Sequence, residues 1–390
     1  MSARRLSVGF VSPWPPARSG IADYSAELLR ALAPHVDATA YPPEEAMRAL
    51  AARHDVLLLQ IGNDPMHAPA FEALTSSART TPAVVTLHDF VLHHLFAAAY
   101  LDRGREEEYA RALERAHGER GRALGNRALA GERVPVWDLD PWAFPMSAEV
   151  VRTADALVVH SRLAKGAVLR ERPRAYVVEI PHHAVPAPRT PKDDARRALG
   201  LAPGRPVVAT VGIVTPAKRV GKVLEALASL PRERRPFLLI GGSVGEGDPL
   251  VEDLTRLGLS GEVAFTGYLD EERFWLVASA ADAAVNLRFP TMGETSGAVC
   301  RLAGFGLPVV VSDVGWFAEL PDSFAAKVPV GEREIAALAG ALETLGFDEA
   351  ERERRSRAAL AWGEERRPER AALLYTRVLQ DVAEGRAGPL

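Results

Sequence analysis

The run Met292-Gly293-Glu294-Thr295-Ser296-Gly297, continued by Ala298-Val299-Cys300-Arg301-Leu302-Ala303-Gly304-Phe305-Gly306-Leu307-Pro308 and Val309-Val310-Val311-Ser312-Asp313, decides the fold class. It reads as polar glycine loop, helix, glycine stop and strand. The apolar residues 283–287 before it form a short buried strand, and Leu307-Pro308 introduces the next at 309–311. A helix from about Ser296 to Phe305 spans the gap, with Gly306 as its C-terminal stop. A loop of glycines and hydroxyls at a helix N-terminus leaves backbone N–H groups pointing outward. The helix dipole adds partial positive charge there, so the site suits phosphate. Glu294 would repel a bare phosphate but can accept hydrogen bonds from sugar hydroxyls, and the combination suggests a sugar attached to a phosphate. Taken alone, Gly293 to Gly297 is better read as an ordinary turn with a Ser or Thr cap. The rest of the chain changes that balance.

Working outward, 390 residues suffice for two domains, and 47% hydrophobic residues allow large cores. A net charge of −4 gives no reason to expect nucleic-acid binding. The single cysteine, Cys300, leaves no disulfide framework or cysteine zinc site and reads as a small buried helix residue. The apolar run 6–11 is too short for a signal segment and is cut by Ser12-Pro13-Trp14-Pro15-Pro16. No window approaches a membrane span, so the chain reads as cytoplasmic.

Residues 6–11 read as a buried strand, 12–20 as a proline-glycine loop and 21–32 as a helix. Further buried strands fall at 55–61, at 83–87 ending in His88-Asp89, at 155–160 ending in His160-Ser161, and at 176–180 running into Pro181-His182-His183. Strands separated by helices imply a parallel sheet with covered faces, whose ligand crevice lies beyond the strand C-termini. His88, Asp89, His160 and His182 all stand at such ends. The charged stretch 102–133 reads as a solvated helical pair. The aromatic segment 136–145 either lines an acceptor pocket or plugs the domain. Residues 184–191 are a proline-rich linker. A second alternation follows: strand 206–211, loop 214–219, helix 220–230, strand 237–240, helix 251–257, strand 263–265 and helix 271–280. After it comes the Met292 stretch. A separate amphipathic helix closes the chain at 369–382.

This order resembles the GT-B fold: α/β, two tandem Rossmann-like domains facing each other across a cleft, with the terminal helix crossing back. The expected divisions are 1–185 for an acceptor domain, 186–365 for a donor domain and 366–390 for the returning helix. The motifs resemble those of retaining glycosyltransferases of family 4. Ala17-Arg18-Ser19-Gly20-Ile21-Ala22-Asp23-Tyr24 matches the N-terminal glycine loop. Val84-Val85-Thr86-Leu87-His88-Asp89 matches the strand ending in the catalytic-site histidine. Val211-Gly212 with Pro216-Ala217-Lys218-Arg219 matches the Gly-Arg…Lys-Gly segment, although Ile213 stands where the family often has arginine. The family also carries two glutamates around the Met292 helix. Counting back from Gly306 puts their places at Gly293 and Arg301, with Glu294 one step off.

The resemblance implies a hexosyltransferase-type enzyme with a nucleotide-diphosphate sugar as donor and a glycan or lipid-linked acceptor, in polysaccharide or glycolipid assembly. It implies no metal and no resident cofactor, no nucleic-acid partner, and at most a weak peripheral membrane contact. Lys218, with Arg219 as a second cation, and the backbone N–H groups of Thr295, Ser296 and Gly297 would neutralise the departing diphosphate. Glu294 would hold donor-sugar hydroxyls, and His88 would orient the reacting sugar or relay a proton. Gly20, Gly212, Gly293 and Arg301 complete the expected nucleotide-side set. Arg301 cannot accept hydrogen bonds, so the ribose must be held differently from the family pattern. Arg288 either reaches a phosphate or meets a helix end, and Asp282 and Asp313 read as structural. His88, Asp89, His93 and His94 admit a metal reading that lacks firm ligand geometry. A nucleotide-sugar epimerase or hydrolase, or a non-catalytic sugar-nucleotide-binding module, fits the same motifs.

Overall fold

The computed structural model describes residues 4–245 and 249–386. Its contacts divide the chain into two units. The first takes the described residues of Met1–His182 and Pro368–Leu390, with the short run Met292–Thr295; the second takes His183–Thr291 and Ser296–Arg367.

The first unit holds β1 (Ser7–Val11), β2 (Asp37–Tyr41), β3 (Val56–Ile61), β4 (Ala83–Leu87), β5 (Ala156–Val159) and β6 (Val177–Glu179), all parallel in the order β2-β1-β3-β4-β5-β6. The second holds β7 (Val207–Val211), β8 (Phe237–Gly241), β9 (Val263–Gly267), β10 (Ala283–Asn286), β11 (Val309–Ser312) and β12 (Ala325–Val328), parallel in the order β12-β11-β10-β7-β8-β9. These are the two Rossmann-like sheets of the GT-B fold. Helices cover both faces, which is why β3 and β4 are buried at every position. The C-terminal helix Pro368–Ala383 packs on the first sheet: its Ala372, Tyr375, Val378 and Leu379 join Val8, Phe10, Tyr24 and Leu28 in one core.

Several elements escape a reading by apolar runs, the helix Lys192–Ala198 among them. β2 is Asp-Ala-Thr-Ala-Tyr, a largely exposed edge strand, and β12 is the short Ala-Ala-Lys-Val. The helices Glu334–Phe347 and Glu349–Glu364 were also not read from the sequence. The second of these is dense in charge, and glycine holds it in place. A Cβ on Gly363 would come 2.5 Å from the Gly304 Cα, so this helix meets the helix Gly297–Phe305 backbone against backbone. The charged segment Glu106–Leu129 is indeed two helices, broken at Gly118 with φ 58°. It is not simply solvated: Tyr109, Ala112 and Leu113 are buried, and a Cβ on Gly125 would lie 2.9 Å from Ala110.

One device recurs at the N-terminal edges of both sheets. An aspartate just before a strand accepts the N–H that opens the neighbouring strand. Asp55 takes Ser7 N at 2.8 Å, Asp155 takes Ala83 N at 2.8 Å, and Asp282 takes Val207 N at 2.8 Å. Each also pairs with a cation: Arg4, Arg79, and for Asp282 both Lys192 and Arg196. Charge-assisted bonds of this kind satisfy donors that the ladder cannot reach. Asp282 and Arg196 are the most buried of these pairs, with side chains 8% and 11% exposed. Removing one partner of a buried pair strands the other charge and costs about 3–5 kcal/mol. Asp282→Ala should therefore lose about that much in urea denaturation. A loss below about 1 kcal/mol, the level of a surface pair, would show that Asp282 does not hold the sheet edge.

Candidate functional site

In the second unit the strand order reverses between β7 and β10, and open parallel sheets bind ligands at such a switch point, beyond the strand C-termini. The chain leaves β7 through Gly212 and leaves β10 through Leu287 and Arg288. Phe289 N donates to Ala217 O at 2.8 Å, so the two exit loops are bonded together. Gly212 has φ 93°, and a Cβ there would lie 2.5 Å from Lys218 Nζ. A Cβ on Gly242 would lie 2.2 Å from Gly212 O. Glycine at 242 leaves room for the Gly212 carbonyl, and glycine at 212 lets the Lys218 ammonium press against the backbone, where it donates to Val211 O at 3.0 Å. Burial, with the positive charge of Arg288 added, lowers the Lys218 pKa to about 7.

The expected second cation is placed differently. Arg219, with a left-handed φ of 52°, turns its guanidinium onto the buried Glu334, with Nε to Oε1 at 2.7 Å and a second bond from Nη2 to Oε2. Its charge is already balanced. The cation that bears electrostatically on Lys218 is Arg288, whose backbone N donates to Ser312 Oγ at 2.9 Å. The signal for Arg288 was its place directly after a strand at the switch point. Ile213, where the family often has arginine, is 56% exposed. Arg301 lies over Trp275 and Phe274, at 4.8 and 5.0 Å, and pairs with Glu271 at 2.9 Å. Its place among nucleotide contacts therefore rests on the family pattern alone. Ser296 is the N-cap of the helix Gly297–Phe305, accepting from Val299 N at 3.3 Å, so the cap reading of this loop holds for its hydroxyl.

The first unit groups with Met292–Thr295. Met292 O accepts from Val91 N at 2.9 Å, and Glu294 Oε2 accepts from Met292 N at 2.6 Å, folding the carboxylate back onto its own loop. Gly293 has φ 80°, and a Cβ there would meet Phe90 at 3.0 Å and Trp142 at 3.2 Å. Trp142 stacks on Phe90 with ring centroids 5.4 Å apart. The aromatic segment around Trp142 thus packs against the Gly293 loop. Gly20 opens the helix Gly20–Leu32 behind its N-cap Ser19, and an added Cβ there meets nothing within 4 Å.

At the C-terminal ends of β4, β5 and β6 the chain places His88, His160 and His182. His88 and His160 lie 5.1 Å apart by ring centroid, and His160 and His182 lie 5.4 Å apart. Tyr24 packs on all three, at 5.0, 5.2 and 4.8 Å. His88 Nε2 bonds Gln60 Oε1 at 2.8 Å, and His160 Nδ1 bonds Ile180 O at 2.7 Å. Gln60 was missed from sequence; its signal is a lone amide inside the apolar run of β3. His93 is committed elsewhere: its ring nitrogens bond Phe144 O and the Tyr109 hydroxyl, and burial lowers its pKa to about 4. Asp89 Oδ2 accepts from Asn63 N at 2.7 Å. Among the described residues no group of three or more His, Cys, Asp or Glu could hold a metal ion, and no helix is long and apolar enough to cross a membrane.

The architecture of these two units is the GT-B fold. Residues 191–362, which cover most of the second unit together with the run Met292–Thr295, match the family model described as Glycosyl transferases group 1. The D-inositol 3-phosphate glycosyltransferase of Nocardia farcinica is 36% identical over 160 residues, covering 39% of this chain and 35% of that protein. The glycogen synthase of Mycobacterium tuberculosis (strain CDC 1551 / Oshkosh) is 32% identical over 142 residues, covering 35% and 34%. The matched region spans only about a third of the length of these two relatives. Among solved structures, sucrose-phosphate synthase from Thermosynechococcus elongatus superposes with a TM-score of 0.67 at 18% identity, over 98% of this chain and 100% of the other. Anabaena Alr3699/HepE in complex with UDP and glucose gives 0.66 at 16%, over 96% and 100%.

The depressed Lys218 pKa carries a stability signature. Below about pH 7 the lysine is charged both folded and unfolded, and the fold bears the whole cost of burying the charge. Between there and its ordinary value of 10.5 the unfolded chain holds the extra proton, so the cost fades as pH rises. Lys218→Met should raise Tm, and by more at about pH 6 than at about pH 9. An equal change at both would show that Lys218 titrates normally.

Proposed function

We propose that this protein is a glycosyltransferase that moves a sugar from a nucleoside-diphosphate donor to a hydroxyl of a glycan or lipid-linked acceptor, with retention and without a metal. The observation that carries the reading is the half-buried lysine, held against the backbone at the switch point, in the unit that holds most of the group 1 family match. The names of the matched relatives and the UDP and glucose bound to HepE support a nucleotide-sugar donor.

In this reading the bond from the sugar's anomeric carbon to the diphosphate breaks, and its electron pair goes to the leaving oxygen. The acceptor oxygen bonds to the anomeric carbon and gives up its proton. Charge gathers on the diphosphate as the bond lengthens, so cations placed there stabilise the transition state more than the ground state. Lys218 suits this role, because an arriving dianion offsets its burial cost and draws it back to the protonated form. Arg288 adds a second charge, and the N–H groups at Gly297 add the partial charge of a helix N-terminus. Glu294 accepts from sugar hydroxyls. His88 fixes the reacting sugar or relays the acceptor's proton. Retention follows if the acceptor attacks the face from which the diphosphate leaves.

The test begins with a thermal-shift panel of UDP, GDP, ADP and their sugars, followed by product analysis with the best donor. Transfer to an added acceptor is the expected result; free sugar, isomerised donor or binding without turnover would each replace this reading. Lys218→Ala should cut turnover by about a hundredfold or more while the fold persists. His88→Ala should lose turnover but keep the donor's thermal shift. Donor affinity should weaken as pH rises above about 7, as Lys218 loses its charge. A flat profile would remove that lysine from the diphosphate site.

A further inference from the structure

We propose that Gln60 is the positioning residue for His88, holding it as the Nε2–H tautomer, and that Tyr375 on the C-terminal helix holds Gln60 in turn. What His88 then does rests on the transferase reading; its tautomer does not.

Gln60 is fully buried in the strand Val-Leu-Leu-Leu-Gln-Ile, where every other residue is apolar. In the parallel register it lies directly beside Thr86. Side chains alternate along a strand, so Gln60 continues the face of Leu58, and Thr86 and His88 continue that of Val84. Leu58 and Val84 belong to the core built with Tyr24 and Tyr375. The polar groups therefore occupy the C-terminal end of one otherwise apolar layer.

A chain of hydrogen bonds runs through that layer. His88 Nε2 meets Gln60 Oε1 at 2.8 Å, and Gln60 Nε2 donates to Thr86 Oγ1 at 3.1 Å. Thr86 Oγ1 bonds the Tyr375 hydroxyl at 3.0 Å, and that hydroxyl bonds Tyr24 Oη at 2.9 Å. An amide oxygen only accepts, so His88 Nε2 must carry a hydrogen, and in the neutral ring the lone pair is at Nδ1. The partner is an amide oxygen, which has no proton to give, so the bond fixes the tautomer. Tyr24 and His160 flank the ring at 5.0 and 5.1 Å and restrict its rotation. Tyr24 thus serves twice, as a wall for His88 through its ring and as the far end of the chain through its hydroxyl. A leucine at position 60 would continue the apolar run and leave Nε2 without this acceptor.

Nitrogen NMR of histidine-labelled full-length protein tests the assignment near neutral pH. The wild type should show His88 Nε2 protonated and Nδ1 unprotonated. Gln60→Leu should mix or reverse the tautomers, whereas Gln60→Glu, whose carboxylate still accepts from Nε2, should keep Nε2–H. In transfer assays Gln60→Leu should lower kcat about tenfold or more with little change in donor KM, and Gln60→Glu should recover part of it. A wild-type His88 protonated on Nδ1, or on both nitrogens, overturns the proposal, because the amide would then be turned the other way or the ring charged. An unchanged tautomer in Gln60→Leu overturns it too. If that variant does not fold, the wild-type spectrum and the milder Tyr375→Phe, expected to loosen the tautomer preference, still decide. The expected spectra with no transfer from any donor would sink the transferase reading and leave the Gln60 assignment standing.

Discussion

Among the described residues the twelve strands run parallel to their neighbours, so in each sheet every strand delivers the chain to the same edge. That constraint shapes the rest of the molecule. It requires a covered crossover after each strand, which makes the strands apolar on both faces. It also divides the polar work between two edges. At the N-terminal edge Asp55, Asp155 and Asp282 close off strand-opening N–H groups. At the C-terminal edge stand Lys218, Arg288, His88, His160 and His182. Side-chain alternation then turns three successive strand ends into one histidine cluster.

Polar groups held inside an apolar layer are expensive unless they are bonded, and here the bonding pattern separates structural from chemical roles. Asp282 and Glu334 are answered by arginines in tight ion pairs and consolidate the second unit. Lys218 is answered differently, by one backbone carbonyl and the unfavourable presence of Arg288. A charge kept at a cost with another cation close by is better suited to an anionic ligand than to cohesion of the fold. Gln60 is the neutral counterpart: its amide bonds the ring of His88 on one side and, on the other, Thr86, which bonds Tyr375 of the C-terminal helix.

Close backbone approach gives the glycines their places. Gly212 admits the Lys218 ammonium to the end of β7, Gly242 leaves room for the Gly212 carbonyl, and Gly304 and Gly363 let two helices of the second unit touch main chain to main chain. Gly293 turns its loop over Phe90 and Trp142. Gly20 meets no such limit, so its use at the head of the first helix is not explained by crowding.

Local pattern alone determined the alternation of buried strands and helices, the stop at Gly306, and the strand ends at which His88, His160 and His182 appear, because burial on both faces writes itself into contiguous apolar runs. It could not reveal β2 or the helix Glu349–Glu364, which are exposed or charged and take their form from neighbours distant in sequence. Nor could it assign the partners of long cations. Arg219 and Arg288 look interchangeable beside Lys218 until Glu334, far along the chain, claims one of them. Arg301 likewise finds its carboxylate and its aromatic platform on another helix. Gln60 was visible as a lone amide among leucines, yet its meaning came from strand register and from Tyr375 near the chain's end. Periodicity is a property of neighbours along the chain. Charge pairing and hydrogen-bond continuity are properties of neighbours in space, and only the folded molecule brings those together.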